Sequence, residues 1–218
     1  MKIATVKNPS VKDYSDKSDI SYEDVDGTEQ VLSIDQQKYF AFKVDDVDKI
    51  QSSIPLLEAA TEGAGFSLAD TLDLYLAGIV KGAGTLALAP VASEKGLELL
   101  ARVMEAMDKA KAPDVGRWVV IPPSFAKTLV LELADKLTNN ADIVTSGYLG
   151  TVFGLNIYKS SNVENLLVGH TSAVTVASQI SETESLRLPN TFATGIRGLH
   201  VYGAKVTRPA LCGEIEIG

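Results

Sequence analysis

Few side chains in this 218-residue sequence have the chemistry of a catalyst or a ligand. Its two histidines, His170 and His200, stand 30 residues apart. A serine–histidine–aspartate arrangement would place one of them beside an exposed nucleophile, yet the chain holds no Gly-x-Ser-x-Gly elbow. Both lie in strand-like runs, which predicts polar core or strand-end roles. Cys212, between Leu211 and Gly213, reads as a buried small hydrophobe. One cysteine and two histidines make neither an intrachain disulfide nor a zinc cluster. In "YEDVDGTEQVLSID" the spacing of Asp24, Asp26 and Gly27 is close to that of a calcium loop. Tyr22 fills the first ligand position and Ser33 the twelfth, so a solvated acidic loop is expected instead. "DDVD" (45–48) reads as helix capping rather than a metal cluster. "EGAGF" and "KGAGT" lack the Gly-Lys-Ser/Thr ending of a phosphate loop and read as helix breaks. No catalytic, cofactor or metal site is expected. A hydrolase on His170 or His200, with a serine and a carboxylate, is the enzyme alternative.

The composition, 45% apolar and 22% charged, is that of a globular chain. A net charge of −8 argues against wrapping nucleic acid, because phosphate contacts need clustered lysine and arginine. The N-terminus lacks the apolar core of a signal peptide, and no run approaches the roughly 18 apolar residues of a membrane span. The expectation is a soluble chain compatible with a reducing cytoplasm.

The elements follow from periodicity. Residues 1–8 alternate weakly as a strand, residues 8–30 form an exposed acidic loop, and a second strand begins at Val31. On that strand Leu32, Ile34, Phe40, Phe42 and Val44 share one face, so residues 1–44 read as a two-stranded ribbon. Such a ribbon is marginal alone and needs a partner. Asp45 or Asp46 is the candidate N-cap of one long, interrupted helix from about 46 to 81, stopped by Gly82 and Gly84. "LALAP" is a short strand or connector. Ser93 caps the next helix, which carries Leu97, Leu100, Met104 and Met107 on one face and ends before Pro113. "RWVVIPP" is a buried strand with Trp118 in the core, residues 124–137 a third helix, and "FGLNIYKS" and "NLLVGH" are strands. "HTSAVTVASQI" is ambiguous between strand and helix, and the tail is β-rich with glycine breaks.

Six runs in order resemble the major capsid (coat) protein of tailed bacteriophages, the family with the Hong-Kong-phage-97 type fold. They are "IDQQKYFAFKVDDVDK" (34–49), "SLADTLDLYLAG" (67–78), "GRWVVIPPSF" (116–125), "GYLGTVFGLNIYKSSNV" (147–163), "LVGHTSAVTVASQI" (167–180) and "GLHVYGAKVTRP" (198–209). The resemblance implies an α+β capsid-type fold with an extended β-ribbon over 1–44. A peripheral domain with a long spine helix would occupy 45–85 and 183–218, and a mixed α/β axial domain 86–182. It implies a structural protein, not an enzyme, that self-assembles into pentamers and hexamers and closes an icosahedral shell around phage DNA. Its partners would be copies of itself, a scaffolding protein and a portal, with DNA enclosed without sequence-specific binding and no membrane. The chain would be made in the host bacterial cytoplasm and end in the virion. Lys38, Phe40, Phe42, Lys43, Asp45 and Asp46 are the candidate subunit-interface residues. Relatives carry an N-terminal arm ahead of the ribbon; Met1 stands almost on the first strand, so that arm is expected to be missing. No lysine and asparagine match the cross-linking positions of some members, and that chemistry is not carried over. An encapsulin-like shell holding a cargo enzyme is the alternative of the same fold.

Overall fold

Alternating aromatic and aliphatic residues in "QQKYFAFKVD" build a strand, and the computed structural model shows what that strand is for. It describes residues 2–6, 11, 13, 22, 27–46, 56–89, 95–136, 150–189 and 191–217. Strands β1 (Lys2–Val6) and β2 (Gly27–Val31) pair antiparallel as a two-stranded sheet. The single strand expected from Val31 is broken over residues 32–35, and β3 (Gln36–Asp45) pairs elsewhere. The break has a physical cause. Leu32 is fully buried, and Lys205 Nζ holds the Val31 carbonyl at 2.9 Å, so the chain turns into the body instead of continuing outward.

β3 joins a three-stranded antiparallel sheet of order β3-β9-β8, formed with β8 (Val174–Arg187) and β9 (Ala193–Val206). The ambiguous run after His170 is thus strand. The tail's glycines do not break β9. A Cβ at Gly198 would overlap the ring of Phe40, and one at Gly203 would overlap the Ser33 carbonyl. They are required where the neighbouring chain passes too close for a side chain.

Helix α1 (Leu56–Ala83) runs 28 residues through Gly63, Gly65 and Gly82 without interruption. The expected first part, 47–55 with Pro55, lies outside the described residues. Helix α2 (Gly96–Lys109) and helix α3 (Pro123–Lys136) flank strand β4 (Arg117–Ile121) in sequence. With β5 (Thr151–Val152), β6 (Leu155–Lys159), β7 (Leu166–His170) and β10 (Cys212–Ile215), β4 makes a five-stranded mixed sheet of order β10-β7-β4-β6-β5. "LALAP" is a connector over its described part, its Leu86 N–H donating to the Cys212 carbonyl at 3.0 Å. The main core lies where Leu100, Val103 and Met107 of α2 and Leu129 of α3 meet Val119 and Ile121 of the sheet.

Ser93 lies outside the described residues, and the N-terminus of α2 is satisfied from a distance. Lys95 holds the N-cap position with no side-chain bond. The Glu132 carboxylate of α3 accepts from the Gly96 and Leu97 N–H groups at 2.8 and 3.0 Å, joining an anion to the positive end of the dipole. Replacing Glu132 with Ala is expected to cost about 1–2 kcal/mol in urea denaturation, the range of lost helix caps; an unchanged midpoint would refute this account. Tyr202 carries the opposite sign. Its hydroxyl is buried without a hydrogen-bond partner among the described residues. Tyr202→Phe is therefore expected to leave stability unchanged or raise it by about 1 kcal/mol, by removing an unpaired polar group.

Candidate functional site

The six interface candidates lie on β3 and at its end, on two faces. Lys38, Phe40 and Phe42 share the face that includes Tyr202, since each lies across from an even-numbered residue of β9. α1 packs there, with the Tyr75 and Tyr202 rings edge to face at 5.4 Å. Phe40 and Phe42 are half-buried and stack with centroids 6.0 Å apart. Lys43 and Asp45 are exposed on the opposite face, and Lys38 is exposed on its own. Asp46, half-buried where the chain turns helical, is clasped by Arg187 through both guanidinium nitrogens, Nη1 at 2.8 Å and Nη2 in shorter contact. Hydrogen bonding to Asp46 raises the Arg187 guanidinium above its ordinary pKa. The Asp46 N–H also donates to the Phe192 carbonyl at 2.9 Å. The turn of the β8–β9 hairpin is thereby fixed to the end of β3.

The outer face of this sheet has residues that the sequence did not single out. Tyr39, Ala41 and Leu199 line a shallow depression of about 440 Å³ with Glu182, Glu184 and Arg197. Arg197 pairs with Glu184 at 2.6 Å, and Tyr39 is 79% exposed. A second depression, of about 460 Å³, opens between α1 and the five-stranded sheet. Leu76, Val80, Trp118, Val120, Leu167 and Val176 make its apolar wall. Trp118 is thus half-buried at a wall rather than enclosed, its ring seated on Gly169, where a Cβ would overlap it. No sequence signal marks either depression, because distant segments converge to form each.

The residues with catalytic chemistry are spent on structure. His170 is buried, and its Nε2 meets the Val115 carbonyl at 2.8 Å, so that nitrogen donates. Nδ1 then accepts from the Ser172 N–H at 3.1 Å and the Ser172 hydroxyl at 2.8 Å. This is the polar core role expected from sequence. His200 Nε2 meets Ser178 Oγ at 3.1 Å, and its ring lies 4.8 Å from that of Tyr202. Cys212 is buried, and burial pushes its thiol pKa up, away from thiolate reactivity. Met107 is enclosed and Met104 half-buried. Among the described residues no His, Cys, Asp and Glu group could hold a metal, and no helix is long and apolar enough to cross a membrane. Asp24, Asp26 and Asp48 lie outside the described residues.

No pattern in the sequence points to Arg117. Its side chain is 5% exposed, and its guanidinium meets Asp108 at 2.7 Å, Asp114 at 2.8 Å and the carbonyls of Ala112 and Pro113 at 2.7 and 2.9 Å. With His170 holding the Val115 carbonyl and Thr171 donating to that of Gly116 at 3.0 Å, it fixes the connection from α2 into β4.

The model of the phage capsid protein family matches residues 29–211. A solved chain from Mycobacterium phage Che8 is 34% identical with a TM-score of 0.77, over 99% of this chain and 83% of that one. The capsid structure of the cyanophage P-SCSP1u superposes with a TM-score of 0.75 at 20% identity, over 100% and 83% of the two chains. A virus-like particle from Pyrococcus furiosus gives 0.61 at 14% identity, over 99% and 85%. Below a quarter identity these likenesses show the fold alone. No curated protein sequence matches the chain.

The buried fork and the exposed clasp should differ in energetic weight. Arg117→Ala is expected to cost about 2–3 kcal/mol, since two carbonyls and two carboxylates lose their donor. Arg187→Ala is expected to cost no more than about 1 kcal/mol, the range of solvent-exposed pairs. Urea denaturation of both variants checks the ordering, and equal costs would refute it.

Proposed function

The chain belongs to the phage capsid protein family, and from that premise we propose that it is the major subunit of an icosahedral shell that encloses phage DNA. The observation that carries this reading is the family match over residues 29–211, joined to a relative 34% identical over nearly the whole chain. As a capsid protein its role is structural: copies of one chain pack into a closed shell that becomes the virion. Modest interfaces, repeated with closed symmetry, supply the driving force. DNA enclosed by subunits of net charge −8 is held without sequence readout, since base-edge and phosphate contacts call for clustered cations. A scaffolding protein and a portal complete the partners, and the subunit is made in the host cytoplasm.

The sheet partition supports a division of labour. The ribbon β1–β2 serves as the extended loop. α1 with β9 forms the peripheral domain within 45–85 and 183–218, and the five-stranded sheet with α2 and α3 forms the axial domain, mostly within 86–182. The ladder of β3 to β9 supports counting residues 36–44 of the 1–44 ribbon with the strands of the peripheral domain. Lys38, Lys43 and Asp45 remain the exposed interface candidates, with Phe40, Phe42 and Asp46 shaping the strand that presents them. A cargo-holding, encapsulin-like shell is the less supported reading, because the family model and the 34% identical relative both come from phages.

Light scattering on a sizing column, followed by negative-stain microscopy, tests the proposal. Shells, hexamers or pentamers are expected. A chain that stays monomeric at every concentration and salt would overturn it.

A further inference from the structure

The strands of the ribbon β1–β2 pack chiefly on each other. Among the described residues one hydrogen bond joins that ribbon to the body, from Lys205 Nζ to the Val31 carbonyl at 2.9 Å. The root that follows is seated residue by residue. Leu32 is fully buried. The Ser33 carbonyl fills the space over Gly203, where a Cβ would overlap it. Gly203 and Lys205 lie two apart on β9 and so share one face of that strand. Val31 meets Lys205 and Ser33 meets Gly203, so the root runs antiparallel to β9, as β3 does from Gln36 opposite Tyr202 onward.

Lys205 is half-buried and forms no ion pair among the described residues; the Val31 carbonyl is its one hydrogen-bond partner there. Leu32 and Gly203 fix where the root sits, yet an apolar socket and a notch leave the chain free to tilt within them. Lys205 acts further out, on the last residue of β2, through a charge-assisted bond that has a direction. Leverage makes that direction count. A strand of five residues is roughly 17 Å long, and a turn of about 10° at its root carries the far end about 3 Å, the full length of a hydrogen bond. We propose that Lys205 is a positioning residue: by holding the Val31 carbonyl it sets the direction in which the ribbon leaves the body, and with it the angle at which one subunit reaches the next. The second half rests on the capsid reading, and the first does not.

Spin labels on cysteines introduced by Thr28→Cys in the ribbon and Thr183→Cys on β8 report the ribbon's direction in the full chain; Thr183 is exposed, and the native Cys212 is buried away from label. Double electron–electron resonance on separate subunits is expected to give one narrow distance distribution. Lys205→Met is expected to broaden it roughly twofold or more, as an element held by few contacts does when one is lost, and Lys205→Arg to restore it. The urea midpoint is expected to stay in place, because no described residue of the ribbon enters the core. In negative stain, Lys205→Met shells are expected to spread in diameter while Lys205→Arg shells keep one size. A Lys205→Met distribution as narrow as the wild type would overturn the inference, as would a wild-type distribution already broad. Broadening that Lys205→Arg fails to reverse would assign the effect to the packing of the lysine's stem and overturn it too. Shells of one size from a Lys205→Met chain with broadened distances would overturn the link to subunit angle. Narrow, Lys205-dependent distances in a chain that never associates would uphold the role of Lys205 and sink the capsid reading alone.

Discussion

Strand β9 satisfies its backbone on both sides, and the rest of the structure depends on that double ladder. Residues Gln36–Asp45 pair along one edge, and nearly the whole of β8 along the other, with a single irregularity between Ser178 and Ile180. The early, middle and late parts of the chain meet there, since α1 seats Tyr75 on Tyr202 of the same strand. Gly198 and Gly203 set the spacing. The ring of Phe40 lies over one and the Ser33 carbonyl over the other, so a Cβ at Gly198 would push the first ladder away and one at Gly203 the segment leading into it. These pairings join residues far apart in sequence, so the sheet closes only after long loops have been ordered.

The five-stranded sheet is tied to that assembly chiefly through α1. Val80 enters its core, Lys81 pairs with Glu214 at 3.0 Å, and Asp70 accepts from Asn162 Nδ2 at 2.6 Å. The connector after the helix then lies against β10, with the Leu86 carbonyl over Gly213, where no side chain would fit. The exposed Lys81 pair contributes little energy by itself, although Glu214 raises the lysine above its ordinary pKa. Val80 supplies the anchoring and the polar contacts set the azimuth of the helix. This arrangement leaves the groove open beside α1: the helix enters the core of the five-stranded sheet at its C-terminal turns and also packs on β9 and β3.

What the sequence made legible was local. The apolar runs of β4, β6 and β7 and the spacing of Leu100, Met104 and Met107 in α2 carry their own periodicity, and those elements stand close to where it puts them. Alternation on β3 named the right face but not the partner, because period two is satisfied equally by a ribbon and by a sheet. The sequence points to Ser93 as the cap of α2, whereas the acceptor is Glu132, 36 residues downstream of Gly96. Arg117 is illegible in the sequence because a lone arginine before an apolar run has no signature; only the fold brings Asp108, Asp114 and two carbonyls around it. The groove was invisible for the same reason. Its wall combines α1, β4, β7 and β8, and none of these segments is unusual by itself. Shell formation was legible only through the resemblance of six ordered runs.

A shell subunit must avoid sticking before assembly and must bind well enough afterwards, and α1 shows how one element can serve both needs. Its 28 residues are rich in Leu and Ala, yet among them Val80 alone is buried in the separate chain. An apolar helix left so open would ordinarily invite aggregation. Glu58, Glu62, Asp70 and Asp73 interrupt its surface, where Phe66 and Leu74 also stand exposed. The acids leave single apolar residues in place of a continuous patch, and they add to a net charge that keeps separate copies apart. That repulsion reaches only about 8 Å at physiological salt, so it opposes random approach more than a close-fitting contact. Weak, directional contacts of this kind favour closure, because a misplaced subunit can leave before the next one traps it.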